Sequence, residues 1–564
     1  MNIFMLCPRR MSGFIAVGLA LLASNSLAAS QIMAPALAPS VEIGEFARDD
    51  ASEAKNIRQL DASDARVRAI RLSAEQGQPE AEDILGRLYS VGQGVVRDDG
   101  IAAQWYRKAA DQGYAAAQNR LGYAYLKGLG VPQNDALAVQ WMTKSAEGGY
   151  APAQDNVGVF YEYGLYGLPR DVDRALEWYR TAAAQDYAPA QFKVGVCFQR
   201  GIGVPPDLKV AAHWFALSAQ GGDLKAKVNL GYLYMTGLGV AHDDRRAAEL
   251  FTEAALSGNV GAQKNLAIMY ARGQGVPHDE ALATGWLKSA ANQGDAFSQW
   301  QLGSRYAKGI GIETDLTAAI GWFRKAADQG DANGMVWLGS SYASGQGVTR
   351  NDAEAFHWFA KAAAQGDAQA EVYLAAFYKE GRGVAKDDSQ AASWLRKSAE
   401  QGNADAQTNL GIAYLAGRGV ERDFAAGVMW LRRSAEQGNV AAMLDLGVYY
   451  WNKSAVAQDA VDAFEWFAKA ASLGDARGEL YVAKCYAFGR GVAMDYGQAT
   501  AWFRKSAEHG NADAMFNMGQ AYQDGLGVER DPAQAREWHQ RATAEGYVSA
   551  PSPQSGGAAG VDAR

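Results

Sequence analysis

Apolar residues recur along most of the chain with a helical period, and the pattern itself repeats. In the stretch from Ala404 to Tyr414, the positions Ala406, Leu410 and Tyr414 stand at i, i+4 and i+8, on one face of a helix. Gly417-Arg418-Gly419 then breaks the helix and turns the chain. Asp423 follows, placed to cap a second helix by accepting hydrogen bonds from backbone N–H groups that lack an intrahelical partner. The second helix shows its buried face in Ala102, Trp105 and Ala109, at i, i+3 and i+7, and a glycine such as Gly113 or Gly438 closes it. The pattern predicts a helix–turn–helix hairpin.

Tryptophan gives the period. Trp105, Trp141, Trp178, Trp214, Trp286, Trp322, Trp358, Trp394, Trp430, Trp466, Trp502 and Trp538 are spaced by 36 residues or a multiple of it, apart from one step of 37 between Trp141 and Trp178. Leu250 fills the one vacant place, which makes thirteen units from Gln78 to Gly546. A hairpin of this length cannot bury its apolar face alone, so tandem copies must stack. The expected fold is all-α, an α-solenoid (superhelix) of about thirteen 36-residue helix–turn–helix repeats. Gly411 sits inside the first helix at a cost of about 1 kcal/mol relative to Ala. Its recurrence predicts a neighbouring helix too close for a side chain. The cap position of Asp423 is matched by Asp98, Asp171, Asp207, Asp243, Asp279, Asp315, Asp387, Asp459, Asp495 and Asp531, the last followed by Pro532 as expected of a cap and first helical residue.

Three units depart from the pattern. The third has an extra residue around Tyr163 to Pro169, the fifth has Leu250 for Trp, and the eleventh has Lys453 and Ala455 where both turn glycines belong. The flanks have a different character. Residues 1–28 read as a secretory signal peptide: Arg9 and Arg10, an apolar run from Phe14 to Ala23, and small residues in Ser26-Leu27-Ala28. That run is short for a spanning helix, and no later apolar segment reaches spanning length. Residues 29–50 form an Ala/Pro-rich linker. Residues 51–77 resemble a degenerate second helix that would cap the first unit, and residues 547–564 are expected to be a disordered tail.

The pattern Ala-x-Ala-Gln-x-x-Leu-Gly-x-x-Tyr, Gly-x-Gly-Val, Asp and Trp-(Phe/Tyr)-x-Lys-(Ala/Ser)-Ala, carried well by residues 404–438 and 296–330, resembles the Sel1-like repeat family, relatives of the tetratricopeptide repeats. The resemblance implies a scaffold that bridges proteins, with a groove lined by the first helices. In tetratricopeptide repeats the residue matching the one just before each Leu-Gly pair faces that groove, where an Asn can bond the backbone of an extended peptide. Here the place is held by Asn156, Asn229, Asn265, Asn409 and Asn517, by Trp337, Tyr373 and Tyr481, and by Gln301. The polar side chains are expected to face solvent in the free protein. Trp300, Trp337 and Tyr373, in three consecutive units, would add an aromatic patch with Arg272 and Lys308 near one end. The competing reading is that these aromatics complete packing between repeats.

Charge and chemistry narrow the function. With 54 basic and 62 acidic residues the net charge is −8, and no basic block accompanies it, which argues against nucleic acid. Of the three cysteines, Cys197 and Cys485 lie at one register in distant repeats, which makes an intrachain disulfide implausible and a small core residue the expected role. His242 and His278, beside Asp243, Asp244 and Asp279, could suggest a metal site, but equivalent loops are a whole repeat apart. Phosphate loops, nucleophile elbows and Cys–His pairs are missing from the sequence. The expectation is an exported scaffold, periplasmic or secreted, monomeric, without cofactor, metal or catalytic residues. It would bind a protein or extended peptide and possess no stable membrane span after signal cleavage. A polysaccharide-binding or polysaccharide-export role is the first alternative, and a hydrolase with unrecognised acidic residues the second.

Overall fold

The computed structural model describes residues 64–453 and 457–547, and every element among the described residues is an α-helix. The hairpin read from residues 404–438 is there as a first helix, Ala404–Ala416, and a second, Phe424–Glu436. The helices are short, so end effects are a large share of their stability. Asp98, Asp171, Asp207, Asp243, Asp279, Asp387, Asp423, Asp495 and Asp531 each accept a backbone N–H at the start of a second helix. Their own N–H groups donate back to the preceding first helix, as Asp423 does to the Tyr414 carbonyl at 3.1 Å. A second set of caps was not read from the sequence. Asp223, Asn259, Asp295, Asp331, Asp367, Asn403, Asp475 and Asn511 cap first helices in the same way.

The two turn glycines have separate reasons. Gly417 ends its helix at φ +65°, donating its N–H to the Ala413 carbonyl. The second glycine lies against the previous repeat: a Cβ on Gly347 would stand 2.6 Å from the Leu316 carbonyl oxygen, and one on Gly203 would stand 2.9 Å from that of Val172. The glycine inside the first helix meets the second helix of its own hairpin. A Cβ on Gly411 would lie 2.8 Å from Leu431 and 2.9 Å from the Gly427 carbonyl oxygen, and one on Gly86 would lie 2.7 Å from the Tyr106 ring. The close approach anticipated there is present.

The described residues fall into two compact units, 64–315 and 316–547. In the first, Tyr179, Phe215 and Phe251 are fully buried, and in the second Phe359, Phe467 and Phe503 are. Cys197 and Cys485 are buried free thiols, each pushed up to about 12 mainly by burial. Leu250 is buried in the vacant Trp place. A glutamine three residues before the Leu of many first helices ties repeats together. Gln263 donates to the Ala255 carbonyl of the previous repeat at 3.1 Å and accepts from Gln293 of its own at 2.9 Å. Gln407 does the same with Ala399 and Gln437, at 3.1 and 2.8 Å. Such satisfied buried amides hold register between hairpins.

Helix Asp64–Glu75 precedes the first repeat, with Val67, Ile70 and Ala74 packed with Leu85 and Leu88. Residues 1–28 and 29–50, expected to be a signal peptide and a linker, residues 51–63 of the expected capping segment and the tail beyond residue 547 lie outside the described residues. The third repeat absorbs its extra residue with positive φ at Tyr166 (53°) and Gly167 (86°), and the Tyr166 ring packs edge-on against Phe160 at 5.1 Å. The eleventh corrects one expectation. Its second helix is longer, Ala457–Ser472, so Asp459 is not the cap but a buried residue of the first turn, 3.6 Å from Lys453. Residues 454–456 of that turn lie outside the described residues.

Candidate interaction face

Within each compact unit successive first helices lie side by side, and their side chains meet at two adjacent positions. The residue just before the Leu reaches the residue two before the Leu of the preceding repeat. Arg120 pairs with buried Asp83 at 2.5 Å, Asn156 Nδ2 donates to Asn119 Oδ1 at 3.3 Å, and Lys193 pairs with Asp155. The pre-Leu residue also covers the aromatic ring that follows the Trp in the preceding second helix. Trp337 stacks on Phe323 at 5.4 Å and 13°, Tyr373 on Phe359 at 4.7 Å and 26°, and Tyr481 on Phe467 at 4.4 Å and 7°. Lys193 stands in the same relation to Tyr179, its Nζ 5.5 Å from the ring centroid. One register position therefore serves as a lid, aromatic in some repeats and cationic in another.

This packing corrects the expectation that the asparagines face open solvent. Asn229, Asn265 and Asn517 retain only 4%, 3% and 7% of their exposure. Asn156 and Asn409 are half-buried. Asn409 and Asn517 donate Nδ2 to their own helix, to the Asp405 and Asp513 carbonyls at 2.8 and 2.7 Å. Asn265 Oδ1 is buried and meets no protein donor, and Trp300 Nε1 is buried without an acceptor. Trp300, Trp337 and Tyr373 are all half-buried, Trp300 edge-on to Phe297 at 5.5 Å. Trp337 and Tyr373 both stack on rings of the preceding repeat and keep part of their surface exposed. Burial raises the Tyr373 phenol above its usual value.

The sequence reading passed over Asp445, which takes the pre-Leu place in the eleventh repeat. Its carboxyl is pushed up to about 6 by burial, with Arg477 acting in the opposite direction. Its signal was the single carboxylate in a row otherwise made of amides, aromatics, aliphatics and cations. The periodic tryptophans of the second helices have no part in this face. Many of their rings carry a cation three residues on, as Lys397 over Trp394 at 3.8 Å and Lys325 over Trp322 at 4.0 Å, a cation–π contact along the second helix. His242 and His278 stay local, with Asp244 at 3.1 Å and Glu280 at 3.3 Å. Among the described residues no three of His, Cys, Asp and Glu gather as a metal site.

Thirteen consecutive matches to the Sel1 repeat cover residues 79–547 without a gap, including the departing third, fifth and eleventh units. The chain belongs to the Sel1 repeat family. Among solved structures it is similar to c5321, a protective antigen of uropathogenic Escherichia coli strains with an SLR fold, at 31% identity. That match covers 85% of this chain and 93% of that one, with a TM-score of 0.61. A Sel1 repeat protein from Oxalobacter formigenes is 32% identical over 54% of this chain and 88% of its own, with a TM-score of 0.44. Comparison with curated proteins gave no match. Sel1 repeat proteins generally mediate protein–protein interactions and are typically not enzymes. Among the described residues no helix is long and apolar enough to cross a membrane.

Proposed function

We propose that this Sel1 repeat protein is an exported, monomeric scaffold that binds an extended segment of a protein partner along its row of first helices and organises an envelope complex. The observation that carries the reading is the recurrence, in each compact unit, of one register position that stays half-exposed after the repeats have packed, at Asn156 and Gln301 (with Trp300 beside it) in residues 64–315 and at Trp337, Tyr373 and Asn409 in residues 316–547. Amides in that row have the donor and acceptor a peptide unit needs. The half-buried rings give a ligand apolar edges to lie against. Asn229, Asn265 and Asn517 lie deeper in the same row, where a ligand reaches them only if the side chain turns outward. Export rests on the charged, apolar and small-residue order of residues 1–28.

The test is a peptide array run beside a glycan array on the purified mature chain. Peptide binding that weakens in Asn156→Ala and Asn409→Ala variants of unchanged melting supports the scaffold reading. Binding confined to glycans overturns it in favour of a polysaccharide ligand. Cell fractionation tests export: an N-terminally intact chain recovered only from the cytoplasm refutes it.

A further inference from the structure

Three carboxylates stand at the two positions where neighbouring first helices meet: Asp83, Asp155 and Asp445. Two of them receive a cation from within the chain. Asp83 pairs with Arg120 at 2.5 Å and Asp155 pairs with Lys193, each cation coming from the pre-Leu place of the next repeat. Both carboxylates are buried, and an ionised carboxylate out of water needs such a partner. Asp445 is the exception. It is half-buried in the pre-Leu place of helix Val440–Lys453, and among the described residues it accepts no hydrogen bond and makes no ion pair.

The surrounding helices do not supply the missing charge. The matching place of the preceding repeat holds Thr408, whose hydroxyl lies 3.0 Å from the Ala404 carbonyl and 2.8 Å from Ser434. Asp405 of the same helix accepts from Asn439 Nδ2 at 3.0 Å. On the second helices to either side, Arg433 and Lys469 lie over Trp430 and Trp466, and Arg432 reaches the Tyr450 hydroxyl at 3.4 Å. Lys453, at the end of the Asp445 helix, stands 3.6 Å from Asp459. The following first helix, Ala476–Phe488, brings Tyr481, stacked on Phe467, and Lys484, 5.4 Å from the Tyr481 ring centroid. Arg477 of that helix is the cation whose charge acts on Asp445, and it pairs with Asp475 at 3.4 Å. Its effect does not offset burial, which leaves the Asp445 carboxyl at about 6. Tyr481 also feels the exposed Asp513 of the last repeat.

We propose that Asp445 anchors a lysine or arginine side chain of the partner's extended segment, receiving from outside the cation that Asp83 and Asp155 receive from within. This rests on the scaffold reading and gives it a specificity residue and a ligand chemistry. An ammonium or guanidinium group donates charge-assisted hydrogen bonds to a carboxylate, and these are about twice as strong as neutral ones. Asn409, half-exposed at the same register one repeat earlier, has the amide to meet the ligand backbone. Packed helices are about 10 Å apart and an extended chain advances about 3.3 Å per residue. The basic side chain therefore belongs about three residues from the part of the ligand that Asn409 bonds. A bound cation favours the ionised carboxyl, so binding strengthens as pH rises through about 6 and weakens as pH falls through it.

The experiment measures anisotropy of labelled, otherwise uncharged peptides of about twelve residues with one central arginine, citrulline or glutamate, titrated with the full mature chain at about pH 7.5 and about pH 5. Salt is held at about 0.15 M to screen distant charges. The arginine peptide is expected to bind about tenfold tighter than its uncharged citrulline counterpart at the higher pH. Most of that advantage should vanish at the lower pH, where the Asp445 carboxyl is mainly protonated. Asp445→Asn should remove the advantage at both pH values, with melting checked. Asp405→Asn, one repeat away and bonded by Asn439, should keep it. A parent chain that binds the glutamate peptide as well as the arginine one, or an Asp445→Asn variant that keeps the advantage, overturns the proposal. So does an Asp405→Asn variant that loses as much, which would make the effect one of general charge. If all three peptides bind equally and Asn409→Ala weakens them all, the scaffold reading stands and this proposal alone fails. If none binds, both fail.

Discussion

The two compact units are built from one repeat but finish their first-helix seams differently. In residues 64–315 the pre-Leu place is filled mostly by amides and cations, such as Asn156, Lys193 and Asn229. In residues 316–547 it is largely aromatic or acidic, with Trp337, Tyr373, Asp445 and Tyr481. The ring beneath is similar in both, Tyr179 under Lys193 and Phe359 under Tyr373. The same hairpin therefore tolerates either a stacked ring or a cation above that aromatic, because both are attracted to its π face. The difference teaches that repeat packing needs only a cover at this position. Which cover is used differs between the units: the first fills the place mostly with amides and cations and the second largely with aromatic rings.

The comparison can be broken most directly at the stacked rings. Trp337→Ala should cost about 2–4 kcal/mol and lower the melting temperature, whereas Gln301→Ala, at the same register in the other unit, should cost less than about 1 kcal/mol. Equal losses measured by chemical denaturation would show that the two seams depend on this position alike.

Asp445 tests the acidic side of the contrast. Its folded pKa, about 6, lies above the ordinary carboxylate value near 3.9, so the folded state holds the proton more tightly than the unfolded chain. Stability from this group is therefore greatest in acid and is lost as pH rises through about 4 to 6. Asp445→Asn should stabilise the chain at pH 7 by about 1–3 kcal/mol and flatten that part of the stability–pH curve. A variant less stable than the parent at pH 7 would mean that the carboxylate has a partner worth more than its burial costs.

A smaller effect is expected at Asn265, where a buried acceptor meets no protein donor. Asn265→Leu keeps the volume and removes the orphan oxygen, and it should raise stability by about 1 kcal/mol while weakening peptide binding. Loss of stability instead would place an unseen hydrogen bond at that oxygen. The smallest effect should come from the caps, which the two units share. Asp279→Asn and Asp423→Asn should each change stability by less than about 0.5 kcal/mol, and any larger difference between the two would show that one carboxylate does more than cap its helix.

The parts of the molecule legible from sequence are those set by local geometry. Helical periodicity, cap chemistry and turn glycines act within a few residues, so the hairpin could be drawn from Ala406, Leu410, Gly417 and Asp423, and a period of 36 then implied stacking. Asp459 failed for the same local reason: without the turn glycines nothing in the sequence marked where the second helix starts, and it starts before that residue. The interaction face was legible only as a row. Whether Asn229 or Asn265 is open or closed depends on how near the next first helix lies, and a helical pattern places a residue on a face without saying what covers that face. The stacking of Trp337 on Phe323 and of Tyr373 on Phe359, the link from Asn156 to Asn119, and the burial that raises Asp445 all join residues of different repeats. By itself the sequence determined the repeat, its helices, its turns and the register of the row. Tertiary structure alone decided which members of that row are packing and which remain exposed, because that depends on distances between hairpins that no single hairpin encodes.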